Sequence, residues 1–233
     1  MQTRQSIRTR LAVLAAVAAA ALAAQTASAA IIISEVDPSG SSDSAYGADW
    51  FELTNTGSAA VNISGWRMDD NSNLFANSVA LRGVTSLAPG QSVVFLEGTS
   101  SGGTDASIDA NFEAAWFGTH VPSGLAVGNY GGSGVGLSQT SDAVNIFDSA
   151  GNLITRVDFG AASTGTFDNS AGLNNVTLTQ VSVAGVNGAF DSVTGGEIGS
   201  PGVAPVPLPA AALLLLSGLG LFAPAARRRN REA

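Results

Sequence analysis

The sequence predicts an all-β fold, a sandwich or barrel, on three observations. Short runs of alternating apolar and polar residues recur along the chain, clusters of Gly, Ser, Asn and Asp separate them, and no long amphipathic helix interrupts them. The chain has no cysteine, so no disulfide holds the fold and its stability must come from a buried core.

Residues 1–29 have the three parts of a secretory signal. Arg4, Arg8 and Arg10 precede an apolar stretch of 14 residues from Leu11 to Ala24, and Ala27-Ser28-Ala29 supplies an A-x-A cleavage site. A bilayer span needs about 20 apolar residues, so the stretch reads as a leader that signal peptidase removes rather than as an anchor. The mature chain is expected to begin at Ala30.

Strands are predicted at 31–36, 50–55, 61–63, 66–69, 92–97, 143–148 and 153–159, with a weaker one at 176–183. In the second, Phe51 and Leu53 point one way and Trp50, Glu52 and Thr54 the other, and one face only is expected in the core. Turn chemistry sets several ends. Asn55-Thr56-Gly57 breaks one strand, and Leu87-Ala88-Pro89-Gly90 puts Pro then Gly in type II order ahead of Val93-Val94-Phe95-Leu96. Ser149-Ala150-Gly151-Asn152 joins two strands as a hairpin. The excursion over 98–136 holds one helical candidate, 110–117, with Asp109 as its N-cap. Phe112 and Trp116 lie four apart on one face of it, as packing across an edge or open end of the sandwich would require. The domain is placed at 30–160. Beyond it, 161–205 turns rich in Gly, Ser and Asn and reads as an extension and linker.

At the far end Val206, Pro207, Leu208 and Pro209 lead into an apolar run over 210–226, followed at once by Arg227, Arg228 and Arg229. Seventeen helical residues cover about 25 Å, a little under the ~30 Å hydrocarbon core. The arginines leave the body of the protein outside by the positive-inside rule. Motif, transmembrane helix and basic end, in that order, make 206–233 resemble the PEP-CTERM sorting signals of Gram-negative bacteria, in the variant reading V-P-L-P-A. The resemblance implies an exosortase-type membrane transpeptidase as a partner that cuts near the motif, with the C-terminal helix anchoring the chain in the membrane until then.

All ten basic residues are arginine and lysine is absent. Between residues 30 and 205, 17 Asp and Glu face only Arg67, Arg82 and Arg156, a net charge of −14. Such a surface opposes binding to nucleic acid, where basic side chains supply the affinity for phosphate. It favours solubility and a loose attraction for divalent cations.

Few groups suit catalysis. His120, the one histidine, has no second His and no Cys to complete a transition-metal site, and reads as an ordinary loop residue. Gly98-Thr99-Ser100-Ser101-Gly102 matches G-x-S-x-G formally, but it lies in a Gly/Ser-rich stretch of an all-β chain rather than between a strand and an immediate helix. The glycines over 131–136 lack the spacing of a phosphate loop. Calcium, which takes oxygen ligands, is the better site hypothesis. Its candidates are Asp37, Asp43 and Asp49 around the first long loop and Asp69, Asn71 and Asn73 in the next. The second trio has the alternation of an EF-hand start, but Leu74 and Ala80 stand where its glycine and bidentate glutamate belong.

A second resemblance rests on five stretches: Ile33-Ser34-Glu35-Val36, Asp49-Trp50-Phe51-Glu52-Leu53-Thr54-Asn55, Ile63-Ser64-Gly65-Trp66-Arg67-Met68-Asp69, Leu87-Ala88-Pro89-Gly90-Gln91, and Asp142-Ala143-Val144-Asn145-Ile146-Phe147-Asp148-Ser149-Ala150-Gly151. Over about residues 31–160 the chain resembles the lamin-tail domain of bacterial extracellular proteins. The resemblance implies an immunoglobulin-like β-sandwich, and since its residues are core positions, a buried tryptophan and turn glycines, it carries a fold and no activity. The expected function is therefore non-enzymatic: a surface interaction or scaffolding module, at the cell envelope or in a biofilm matrix, that binds a protein or polysaccharide. The competing readings are a calcium-dependent adhesin and an accessory domain with hydrolase activity.

Overall fold

The computed structural model describes residues 31–161 and 165–203. The predicted leader, with Ala27 and Ala29, and the predicted sorting tail, with Val206, Pro207, Leu208, Pro209, Arg227, Arg228 and Arg229, lie outside the described residues. Among those described, no helix is long and apolar enough to cross a membrane.

Two five-stranded sheets carry the fold. The first contains β1 (Ile31–Asp37), β2 (Trp50–Asn55), β7 (Ser92–Gly98), β8 (Val127–Gly131) and β11 (Phe167–Asp168), in the order β11-β1-β2-β7-β8. The second contains β4 (Arg67–Asp69), β5 (Val79–Ala80), β9 (Asp142–Phe147), β10 (Leu153–Phe159) and β12 (Val176–Leu178), in the order β12-β10-β9-β4-β5. Two short ribbons complete the strands, β3 (Val61–Asn62) with β6 (Ser86–Leu87) and β13 (Phe190–Asp191) with β14 (Ile198–Gly199). The helices are α1 (Gly40–Asp43) and α2 (Asp105–Phe117).

Neighbours in the first sheet run antiparallel from β11 through β7, and β8 joins β7 in parallel. The predicted hairpin forms between β9 and β10, with Gly151 at φ 87°, a backbone region that glycine enters without steric cost. Between the sheets, Ile33, Phe51, Leu53 and Phe95 of the first join Met68, Val144, Ile146 and Val157 of the second in one buried cluster. Phe51 stacks on Phe95 with ring centroids 5.6 Å apart. Trp66, the tryptophan expected inside, belongs to this cluster and is 7% exposed.

Three expectations change in the structure. First, both faces of β2 are buried: Trp50 joins Tyr46, Val94, Leu96, Phe112 and Trp116 in a second cluster on the outer face of the first sheet, beneath α2. The alternation was read correctly, but alternation cannot reveal whether a distant segment covers the polar side. Second, α2 begins at Asp105, with Thr104 at its N-cap, so Asp109 lies inside the helix and accepts a hydrogen bond from Asn129 Nδ2 at 2.8 Å rather than capping it. Third, residues 165–203, part of the predicted extension and linker, fold back on the sandwich. β11 pairs with β1, β12 runs parallel to β10, and Phe190 packs edge-on against Trp116 at 5.6 Å.

Candidate functional site

The outer face of the first sheet holds a buried seam of acids. In β1 the register slips between Ile33 and Glu35, leaving Ser34 as the extra residue of a bulge. The slip keeps Ile33 and Val36 in the inner core and sets Glu35 directly opposite Glu52 of β2. Like charges placed opposite each other across a sheet repel, and here both side chains are 1% exposed.

What holds them is a set of hydroxyls and backbone amides, several from the C-terminal segment. Glu35 Oε1 accepts from the Thr166 hydroxyl, from Ser182 Oγ at 3.3 Å and from the Ser200 amide at 2.8 Å, while Oε2 accepts from Ser200 Oγ at 3.1 Å. Glu52 Oε1 accepts from Ser34 Oγ at 2.6 Å, and its Oε2 from the Gly202 amide at 2.6 Å. Gly199 is required between these contacts, because a Cβ there would lie 2.7 Å from Glu35 Oε1 and 3.0 Å from the Trp116 ring. Burial, and then the neighbouring Glu52, push Glu35 up to about 8. Burial pushes Glu52 up to about 7 against the opposing pull of its hydrogen bonds, Ser34 foremost.

A second knot lies at the end of β1. Tyr46 Oη donates to Glu197 Oε1 at 2.5 Å, with Asp37 Oδ2 at 3.3 Å, and accepts from Trp50 Nε1 at 3.0 Å and Trp116 Nε1 at 3.3 Å. Burial, opposed by the Tyr46 bond and reinforced by Asp37, holds Glu197 up at about 8, and burial raises Asp37 as well. None of the three arginines among the described residues enters the seam. Arg82 bonds Asp105 at 2.9 Å, Arg156 bonds Asp158, and Arg67 donates to Ser78 and lies 5.6 Å over the Phe75 ring.

The residues proposed for calcium divide between two loops. Asp37 accepts from the Ser39 amide at 3.0 Å and Asp49 from the Ser41 amide at 2.8 Å, so both carboxylates latch the loop that carries α1, while Asp43 points to solvent. Burial raises Asp49 to about 7. In the second loop Asp69 Oδ2 accepts from Ser72 Oγ at 2.7 Å and the Leu74 amide at 2.8 Å; the Asn71 amide donates to Asp142, and Asn73 sits exposed at φ 51°. Among the described residues no three His, Cys, Asp or Glu are gathered to hold a metal ion. His120 is exposed, with Thr119 Oγ1 3.3 Å from its Nδ1, and Ser100 and Ser101 lie in the exposed turn between β7 and α2.

On the surface, a groove of about 220 Å³ runs beside β11 and β12, lined by Asp168, Ser170, Leu173, Thr179, Gln180 and Asn187 among others. Asp168 Oδ2 fixes two of these side chains, accepting from Gln180 Nε2 at 3.0 Å and Asn187 Nδ2 at 2.7 Å. Glu35, Glu52, Tyr46 and Glu197 were not singled out from the sequence. Glu52 in mid-strand on the same face as Trp50 was the available signal, since a large aromatic on the supposed solvent face implies a cover.

Among known proteins, a family model described as Lamin Tail Domain matches residues 24–161. No curated protein and no solved structure matches the chain.

Proposed function

Since the chain belongs to the lamin tail domain family, whose members are immunoglobulin-like β-sandwiches that bind or support and are not typically enzymatic, we propose that it is an exported interaction or scaffolding protein of the bacterial surface. In this reading signal peptidase removes residues 1–29, the sandwich folds outside the cell, and residues 206–233 direct the chain to an exosortase-type transpeptidase. The domain then serves at the envelope or in the extracellular matrix of a Gram-negative bacterium, where it contacts a protein or polysaccharide.

The observation that carries the proposal is how this sandwich spends its acids. Glu35, Asp37, Asp49 and Glu52 face hydroxyls and amides of their own chain, inside the packing. Such groups hold elements together, and a general acid or base would need access to a substrate. The groove beside β11 and β12 offers amide, hydroxyl and carboxylate groups to a partner rich in hydrogen bonds.

The test is the intact mass and cell fraction of the protein from its native host. A product that starts at Ala30, ends near Val206–Pro209 and is recovered from the envelope or matrix supports the proposal. A full-length cytoplasmic product overturns it.

A further inference from the structure

Glu35 and Glu52 occupy one cross-strand pair, buried, with a strap of chain over them that runs from Glu197 to Gly202. The strap meets the sheet through these two carboxyls, through the Tyr46–Glu197 contact and, just ahead of β11, through the Thr166 amide, which donates to the Ile198 carbonyl at 3.0 Å. Ionising both members of such a pair sets two like charges side by side in a medium that solvates neither. We propose that the segment 197–202 is an acid-closed strap, whose hold on the sheet weakens as the Glu35–Glu52 pair loses its protons and whose opening uncovers two carboxylates beside Trp116.

Among the described residues no cationic side chain faces the pair, and only hydroxyls and the Ser200 and Gly202 amides oppose its charge. From β1 come Ser34 and Asp37, from β2 Glu52 itself with Thr54, from β7 Ser92, and from the first loop Tyr46. From the C-terminal segment come Thr166, Ser182, Ser200 and Glu197, and from α2 the Trp116 indole. Every titratable group among these is acidic. The hydroxyls can turn to accept a proton from a neutral carboxyl as readily as they donate to an ionised one, so the closed strap suits the protonated pair. The raised values of Glu35, about 8, and Glu52, about 7, agree with that assignment.

The sign follows from linkage. Both carboxyls hold their protons more tightly when the strap is closed than when it is open to water. Closure is therefore strongest below the ordinary glutamate value of 4.5 and is lost as pH rises through about 7 and about 8. Over that window each proton released raises the open population about tenfold per pH unit.

Amide hydrogen exchange of the mature protein purified from its host, at pH 5 and pH 8 and corrected for the intrinsic pH dependence of exchange, tests this. Peptides over 197–202 should lose at least about tenfold in protection at pH 8, while peptides over β9 and β10, in the other sheet, hold theirs. The paired variant Glu35→Gln with Glu52→Gln mimics the protonated seam and should shrink the difference between the two values to what Glu197, itself in the strap, contributes. If that pair does not fold, Glu35→Gln alone removes the like-charge repulsion and should shrink the difference. Equal strap protection in the wild type at the two pH values, or an undiminished difference in a folded glutamine variant, overturns the proposal.

Discussion

Replacing Trp116 with alanine probes the least expected part of the structure, the second buried layer outside the first sheet. The side chain is fully buried and contacts three rings: Trp50 at 5.9 Å, Phe112 at 6.1 Å and Phe190 at 5.6 Å. It thereby joins α2, β2 and the C-terminal segment. A buried tryptophan removes on the order of 200 Å² from water, worth roughly 5 kcal/mol at ~25 cal/mol/Å². Alanine retains about 1 kcal/mol of this, and deletions of large buried aromatics fall at about 3–5 kcal/mol. We expect a loss of about 4 kcal/mol, a large share of the ~5–15 kcal/mol that holds a domain folded. With a urea slope of about 2 kcal/mol/M the midpoint falls by about 2 M, read from the fluorescence of Trp50 and Trp66. Trp116→Phe keeps the ring contacts but removes the 3.3 Å indole bond to Tyr46, and should cost only about 1–2 kcal/mol. A loss below about 1 kcal/mol for the alanine variant would refute the reasoning, because α2 and the C-terminal segment would then contribute little to the fold.

The same buried acids make the whole domain acid-stable. With Glu35 and Glu197 at about 8 and Glu52 and Asp49 at about 7, Tm should be highest near pH 5 and fall toward pH 8; a Tm that rises over that range contradicts the assignment. Trp66→Ala should cost about 3–5 kcal/mol, whereas His120→Ala should stay within about 0.5 kcal/mol, both by urea titration. Melting curves in calcium and in chelator should coincide, since Asp37, Asp49 and Asp69 already accept amides of their own loops; a marked rise in Tm with calcium would support the ion-binding reading instead. Four alanines in place of Val206-Pro207-Leu208-Pro209 remove both fixed φ angles and favour a continuous helix. In a host with the sorting enzyme this variant should accumulate as a precursor of higher mass, and identical masses and locations would leave a plain anchor.

Sequence pattern alone located most of the sandwich. β2 and β10 were predicted to the residue, and β7 and β9 to within one residue at either end. Each is a run of alternating or continuous apolar residues bounded by turn chemistry, and that information is local. β8 escaped because Val127–Gly131 contains two glycines and one large side chain, and it exists as a strand through parallel pairing with β7. The two-residue strands β5, β6, β11, β13 and β14 are likewise made by their partners rather than by their own composition.

The site divides the same way. That Glu52 and Trp50 share a face follows from the period of a strand and was determined by sequence. That this face is buried depended on α2 and on residues 165–203 returning across it, the latter more than a hundred positions along the chain. Their Gly, Ser and Asn content suits a linker as well as it suits close backbone packing. The bulge at Ser34 is equally invisible in one strand, since a register slip is a relation between two. It alone sets Glu35 opposite Glu52. Residue order determined which side chains carry acid, and the tertiary structure decided which of them lose water, because desolvation depends on what the rest of the chain places on top.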